Sequence, residues 1–318
     1  MILSASSHRP EIAIPDVLTR RLANGHGEAA TAAWLGRLPS LLDAWCRQWN
    51  LTILPEMPPI SFNLVLFAKS ELAGEVVLKL NIPSSEVRSE IEALAQAGGE
   101  GMVRLLDADP SAALMMLERI RPGTPLRDVP MRDLEATAIG AAIMQRLWRA
   151  PKRVDDLHPL PRWFRSLFQY PSRNSGPASP IPIDLVQRAI GVARHLLDSP
   201  RDLTLLHGDI HHQNILRGGG QGWITIDPKG LVGERGYDIA TWMLNPWGIG
   251  ERPDLAGIMA ARIGLFSREL GIDWQRLTQW AFVHSVLSMC WTLEDDGIRD
   301  MTADVRCSRT LAGFLENQ

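Results

Sequence analysis

One stretch constrains this chain more than any other. It is Leu205-Leu206-His207-Gly208-Asp209-Ile210-His211-His212-Gln213-Asn214-Ile215-Leu216, read with Trp223-Ile224-Thr225-Ile226-Asp227-Pro228. Two short apolar runs with strand character hold an Asp between them, an Asn follows five positions on, and a second Asp closes the later run. That layout suits phosphoryl transfer. Moving the γ-phosphoryl of a nucleotide requires divalent metal against the phosphate oxygens and a carboxylate that orients the acceptor hydroxyl and takes its proton. Hard Mg²⁺ takes oxygen ligands, only one or two of them from the protein. Asn214 and Asp227 fit the metal role, which leaves Asp209 as the base.

Plainer readings compete. His207 alone reads as a structural histidine, and Asp209 alone as a turn or cap residue. A second alternative groups His207, Asp209, His211 and His212 as metal ligands of a metal-dependent hydrolase; it leaves Asn214 and the Ile-Asp-Pro turn without a role. It predicts that substituting His211 and His212 abolishes activity. A nucleotide-binding protein without turnover fits less well, because a base and two metal ligands are all present.

His-Gly-Asp-x-x-x-x-Asn followed by an Ile-Asp turn resembles the kinase catalytic loop and metal-binding Asp in the form carried by the aminoglycoside phosphotransferases. The string Ile-Asp-Pro-Lys-Gly-Leu-Val-Gly-Glu-Arg-Gly-Tyr-Asp-Ile-Ala (226–240) resembles the streptomycin 6-kinase and hydroxyurea phosphotransferase branch of that family. The resemblance implies a bilobal, protein-kinase-like α+β fold: an N-terminal antiparallel β-lobe with helices over 1–120, then a mainly helical lobe over 121–318. It implies ATP and Mg²⁺ in the cleft and transfer to a hydroxyl of a small molecule. Streptomycin is the expected acceptor, with hydroxyurea or an amino sugar as rivals, and resistance as the expected role. Gly208 stands where protein kinases carry the Arg that answers a phosphorylated activation loop, so switching by that route is not expected.

In the N-terminal half, Trp34, Leu35, Leu38, Leu42, Trp45 and Trp49 share a helical face, with Pro39 expected to end one helix and start the next. Runs 60–67 and 75–80 read as a hairpin over 69–74, and 102–107 and 113–120 as further strands of a five-stranded lobe. A kinase strand carries a lysine for the α/β-phosphates; Lys79 is the candidate here. Residues 85–97 read as a helix stopped by Gly98-Gly99, and it offers Glu90 as the lysine's partner in preference to Glu92. The chain lacks a Gly-x-Gly-x-x-Gly loop, so Asn63 and its neighbours are expected to cover the phosphates. The segment from Glu118 to Ile120 is expected to join the lobes and offer backbone to adenine, backed by Met115 or Met116.

Beyond the joint, 131–149, 183–198, 254–270, 273–293 and 305–316 carry helical spacing. The Pro-, Ser- and Arg-rich 151–182 reads as an irregular excursion, and Gly218-Gly219-Gly220 as a turn between two strands rather than a phosphate cradle. The resemblance makes Asp238 a brace for the catalytic segment. Asp238, Glu294 and Asp295 are also candidates for the acceptor side, since an acidic cluster beside the cleft would attract a polycation. A net charge of −3 argues against nucleic-acid binding by phosphate neutralisation. Three scattered cysteines suggest neither a disulfide framework nor a zinc site. With no signal-peptide core in 1–15 and no bilayer-spanning apolar run, the expectation is a cytoplasmic protein. Oligomeric state is open.

Overall fold

The computed structural model describes residues 2–3, 10–56, 63–174, 179–220, 222–295 and 300–316. Two short strands, β1 (Ile2–Leu3) and β2 (Ile12–Ala13), pair ahead of helices α1 (Asp16–His26) and α2 (Glu28–Gln48). Helix α2 runs through Pro39 without a break, contrary to the sequence expectation. Proline removes one intrahelical bond, but Trp34, Leu38, Leu42 and Trp45 on both sides of it are buried on one face. Burying each such side chain contributes about 1.5–3 kcal/mol, enough to hold the turn helical.

Five strands form the first sheet: β3 (Leu51–Ile53), β4 (Leu64–Ser70), β5 (Gly74–Leu80), β6 (Leu105–Asp109) and β7 (Leu114–Glu118), in the order β3-β4-β5-β7-β6, with every pairing antiparallel. Its two faces serve different cores. Leu64, Leu66, Val76, Leu78, Leu80, Leu114 and Met116 pack with α1 and α2, while Met115 and Leu117 point the other way and join the core of the second lobe. Helix α3 (Ser85–Ala97) begins at Ser84, whose hydroxyl accepts the Val87 N–H, and ends at Gly98 in the left-handed conformation. Val87 and Leu94 join the second lobe's core, so α3 lies between the lobes.

The second lobe is mainly helical. After β8 (Pro122–Pro125) come α4 (Asp133–Leu147), a short β9 (His158–Pro159), α5 (Leu160–Trp163), α6 (Arg165–Arg173) and α7 (Ile183–Asp198). The expected irregular excursion is therefore helical over much of its length. Leu160, Phe164, Leu167 and Tyr170 recur at helical spacing and are all buried, and Pro161 occupies the first turn, where no N–H is needed. Residues 175–178 of that excursion lie outside the described residues. Strands β10 (Thr204–Leu206), β11 (Ile215–Gly218), β12 (Gly222–Thr225) and β13 (Leu231–Gly233) form two small sheets that present the catalytic stretch. Gly218 pairs with Gly222, which makes the glycine run a hairpin turn. Helices α8 (Ala240–Met243), α9 (Leu255–Leu270), α10 (Trp274–Asp295) and α11 (Thr302–Phe314) complete the lobe. Among the described residues no helix is long and apolar enough to cross a membrane.

Candidate active site

Strand alternation aims the first site residue. Val76, Leu78 and Leu80 face α1 and α2, so Lys79 faces the opposite way, in register with Met115. Of the two methionines considered behind adenine, Met115 shares the lysine's face and Met116 does not. On α3, Glu90 lies three residues after Val87 and four before Leu94, on the interlobe face. Lys79 Nζ is 2.5 Å from Glu90 Oε1 and 3.1 Å from Asp227 Oδ1. Burial alone would lower the Lys79 pKa; the carboxylates of Asp227 and Glu90 more than reverse that and hold the ammonium charged. Glu92 points elsewhere, to Arg153 at 2.6 Å and Gln96 at 2.7 Å.

The loop after β10 is fixed from within. His207 is fully buried; its Nδ1 accepts the Asp209 N–H at 3.2 Å and its Nε2 donates to Ile226 O at 3.0 Å. Burial pushes its pKa down to about 4, so the ring is neutral at pH 7. Gly208 has φ 78°, and a Cβ there would stand 2.6 Å from Leu231 Cδ1. A side chain there would be strained by the positive φ and would have to displace Leu231, which gives the missing arginine a steric cause. Asn214 Nδ2 donates to Asp209 O at 3.0 Å and to Asp209 Oδ2 at 3.3 Å. Asp209 and Asn214 are thus locked as a pair.

Behind the loop sits Asp238, 1% exposed. Its carboxylate accepts the N–H groups of Gly208 at 2.7 Å and His207 at 3.2 Å, and the indole N–H of Trp148 at 2.9 Å. Burial raises its pKa to about 6 against the pull of those donors. These contacts take it away from the acceptor side, where it was also a candidate. The segment from Arg235 to Ile239 is a 3₁₀ turn leading into α8.

Asp227 adopts φ 60°, unusual for a residue other than glycine, although Asp and Asn tolerate it best. The Ile226 N–H donates to Asn214 O at 2.9 Å, which ties the two candidate metal ligands through the backbone. With the Asn214 amide nitrogen committed to Asp209, its Oδ1 remains as a candidate metal-binding oxygen, as does the Asp227 carboxylate. Two hard oxygens from two residues suit Mg²⁺, which keeps most of its other ligands from water and phosphate. The histidines do not form the alternative metal site. Both ring nitrogens of His207 are engaged, His212 packs against Trp242 with ring centroids 4.0 Å apart and the rings tilted by 33°, and His211 Nδ1 accepts the Gln213 N–H. Among the described residues no three His, Cys, Asp or Glu side chains converge for a metal.

Other expected residues sit at the margins. The Glu118 carboxylate accepts the Arg104 N–H at 2.8 Å, and Ile120 precedes β8 at the joint between lobes. Asn63 accepts from Asn81 Nδ2 at 2.6 Å, at the strand end that carries Lys79. Strand β3 adds a hairpin upstream of the expected one, so 54–63 is the first connection within the five-stranded sheet; residues 57–62 lie outside the described residues. Glu294 does not join the catalytic pair: its carboxylate is held by Arg173 and Ser166, each at 2.7 Å, beside a cavity of about 240 Å³. Asp295 is exposed at the end of α10, and its carbonyl accepts from Asn24; Asp296 lies outside the described residues. One residue escaped sequence reasoning. Lys229 Nζ is 3.3 Å from Asp209 Oδ2.

A family model described as "Aminoglycoside/hydroxyurea antibiotic resistance kinase" matches residues 59–297. A streptomycin 6-kinase of Streptomyces glaucescens is 28% identical over 311 residues, covering 95% of this chain and 98% of its own length. A hydroxyurea phosphotransferase of Kitasatospora aureofaciens is 27% identical over 292 residues, covering 91% of this chain and 83% of its own. The crystal structure of a choline kinase from Streptococcus pneumoniae superposes with a TM-score of 0.60 at 14% identity, over 89% of this chain and all of that one.

Proposed function

The chain belongs to the aminoglycoside/hydroxyurea antibiotic resistance kinase family, and from that premise we propose that it transfers the γ-phosphoryl of ATP to a hydroxyl of streptomycin. The observation that carries this reading is the bridge from Lys79 to both Glu90 and Asp227, which suits a lysine proposed to hold phosphates beside a carboxylate proposed to hold the metal. Streptomycin is preferred because the streptomycin 6-kinase match runs nearly end to end.

In this reading the Asp209 carboxylate orients the acceptor hydroxyl and takes its proton. His207, neutral and buried, holds the Asp209 backbone, and Asp238 fixes the two peptides before it. Asn214 and Asp227 hold Mg²⁺, which when bound neutralises the phosphate oxygens. Lys79, braced by Glu90, holds the α- and β-phosphates, while the backbone from Glu118 to Ile120 meets adenine and Asn63 borders the phosphates.

The test is Mg-ATP consumption by the purified protein with streptomycin, a 2-deoxystreptamine aminoglycoside, hydroxyurea, glucosamine or no acceptor. The expected result is stimulation by streptomycin and a product heavier by one phosphoryl group. Stimulation by hydroxyurea alone would move the acceptor to the other named activity of the family. Asp209→Asn is expected to lower transfer by about 10²–10⁴-fold, the range for a lost general base, with Mg-nucleotide affinity kept; Asp227→Ala should weaken that affinity as well. Near wild-type transfer by Asp209→Asn would remove Asp209 from the role.

A further inference from the structure

Transfer between ATP and a hydroxyl held by Asp209 places a carboxylate close to a phosphoryl group that is itself anionic. A cation on the base side, in addition to the Mg²⁺ that Asn214 and Asp227 would hold, would stabilise the charge that develops there. The catalytic loop does not provide one: 207–214 contains neither Lys nor Arg, both ring nitrogens of His207 are engaged, His211 Nδ1 accepts the Gln213 N–H, and His212 packs against Trp242. Lys79 is already committed to Glu90 and Asp227.

Lys229 fills the gap. Its Nζ lies 3.3 Å from Asp209 Oδ2, the oxygen that also receives Asn214 Nδ2, while its side chain stays 44% exposed. Oδ1 of Asp209 is left with His211 Nε2 at 3.7 Å, outside hydrogen-bond range. The lysine is seated by three backbone features. Its N–H donates to His207 O at 2.7 Å, Gly208 lets its stem approach, and Gly230 packs against Ser89 O, where a Cβ would stand at 2.1 Å.

We propose that Lys229 is a phosphoryl-binding residue of this kinase: its ammonium turns the Asp209 carboxylate so that Oδ1 meets the acceptor, and contacts the γ-phosphoryl during transfer. In that step the acceptor oxygen forms a bond to γ-phosphorus as the bond from phosphorus to the β,γ-bridging oxygen breaks. The electron pair leaves with ADP, the hydroxyl proton passes to Asp209 Oδ1, and Lys229 keeps its own. The inference rests on the phosphotransferase reading above but not on the identity of the acceptor.

The test therefore includes a measurement that needs no acceptor. Binding of Mg-ADP and of a non-hydrolysable Mg-ATP analogue is titrated with wild type, Lys229→Met, Lys229→Arg and Lys79→Met. Lys229→Met is expected to weaken the triphosphate analogue about tenfold, the size of one charge-assisted hydrogen bond, and to leave Mg-ADP unchanged. Lys79→Met should weaken both nucleotides. With whichever acceptor is turned over, Lys229→Met should lower kcat about 10²-fold with little change in the acceptor KM, and Lys229→Arg should recover most of it. Equal weakening of both nucleotides by Lys229→Met would reduce the lysine to a structural part, and unchanged binding of the analogue would overturn the proposal. Failure of streptomycin as acceptor would leave the nucleotide result standing and count only against the acceptor assignment.

Discussion

At the scale of single residues, the site is a set of buried charges that stabilise one another. Lys79 and Glu90 are 4% and 8% exposed, and neither is tolerable there alone. Lys79→Ala is expected to cost on the order of 3 kcal/mol, because it leaves Glu90 buried without its counter-ion. Lys79→Met combined with Glu90→Leu should recover much of that stability but no nucleotide affinity. Urea unfolding of the single and double variants separates the two effects; equal stability of Lys79→Ala and wild type would contradict the coupling. Lys79 was legible in the sequence because strand alternation fixes which residues share a face, and Glu90 because helical spacing does the same. Lys229 was not. Nothing in a run of Asp-Pro-Lys-Gly tells which way a loop lysine turns; the direction comes from Gly208 and Gly230, whose close approaches exist only once α3 and β13 are in place.

At the scale of elements, α3 is the part on which the two lobes agree. It carries Glu90 to the sheet, Ser89 to Gly230 O at 2.5 Å, and Gln96 to Arg153 O at 2.8 Å and Lys152 N at 2.8 Å. A helix held on that many sides has little freedom to swing away from the cleft. Gly230→Ala is expected to disturb this seat directly. The new Cβ would meet the Ser89 carbonyl at a position that already has φ 64°, and backbone does not yield as a flexible side chain does. A loss of about 3 kcal/mol, in line with overpacking at its upper end, should appear in unfolding, together with weaker nucleotide binding through Glu90 and Lys79. Wild-type stability in Gly230→Ala would show the seat to be loose. The helix 85–97 could be read from its apolar spacing and glycine stop and 183–198 from its spacing alone, and they match α3 and α7. What misled was proline: Pro39 and Pro171 lie inside helices, because local breaking tendency loses to burial of Leu38, Leu42, Leu167 and Tyr170, while Pro161 sits in a first turn that tolerates it. Strand β3 was missed since three residues carry too short a pattern; only the pairing with β4 defines it.

At the scale of the whole molecule, the second lobe buries several histidines whose pKa values are lowered, and this shapes how the fold responds to acid. Burial lowers the folded pKa of His207 to about 4, His212 to about 3 and His284 to about 4, against an ordinary 6.5. Their contribution is present above pH 6.5, where the unfolded chain is also neutral, and is lost as pH falls through 4. Asp238 opposes this. Its folded pKa of about 6 lies above the ordinary 3.8, so its contribution is present below 3.8 and lost as pH rises through 6. At about 1.4 kcal/mol per proton and pH unit, moving from pH 7 to pH 5 costs about 2 kcal/mol for each histidine and returns about 1.4 for Asp238. The loss from these four groups is about 4–5 kcal/mol by the same linkage, which urea midpoints at the two pH values would measure; equal midpoints would refute it. His212 offers the sharpest version of the test, since its ring packs against Trp242 and its Nδ1 is buried without a hydrogen-bond partner. A phenyl ring keeps the packing and has no nitrogen to satisfy or protonate. His212→Phe is therefore expected to remove about a third of the histidine acid slope while leaving stability at pH 7 equal or higher, and an unchanged slope would mean that the ring is already solvated in the fold.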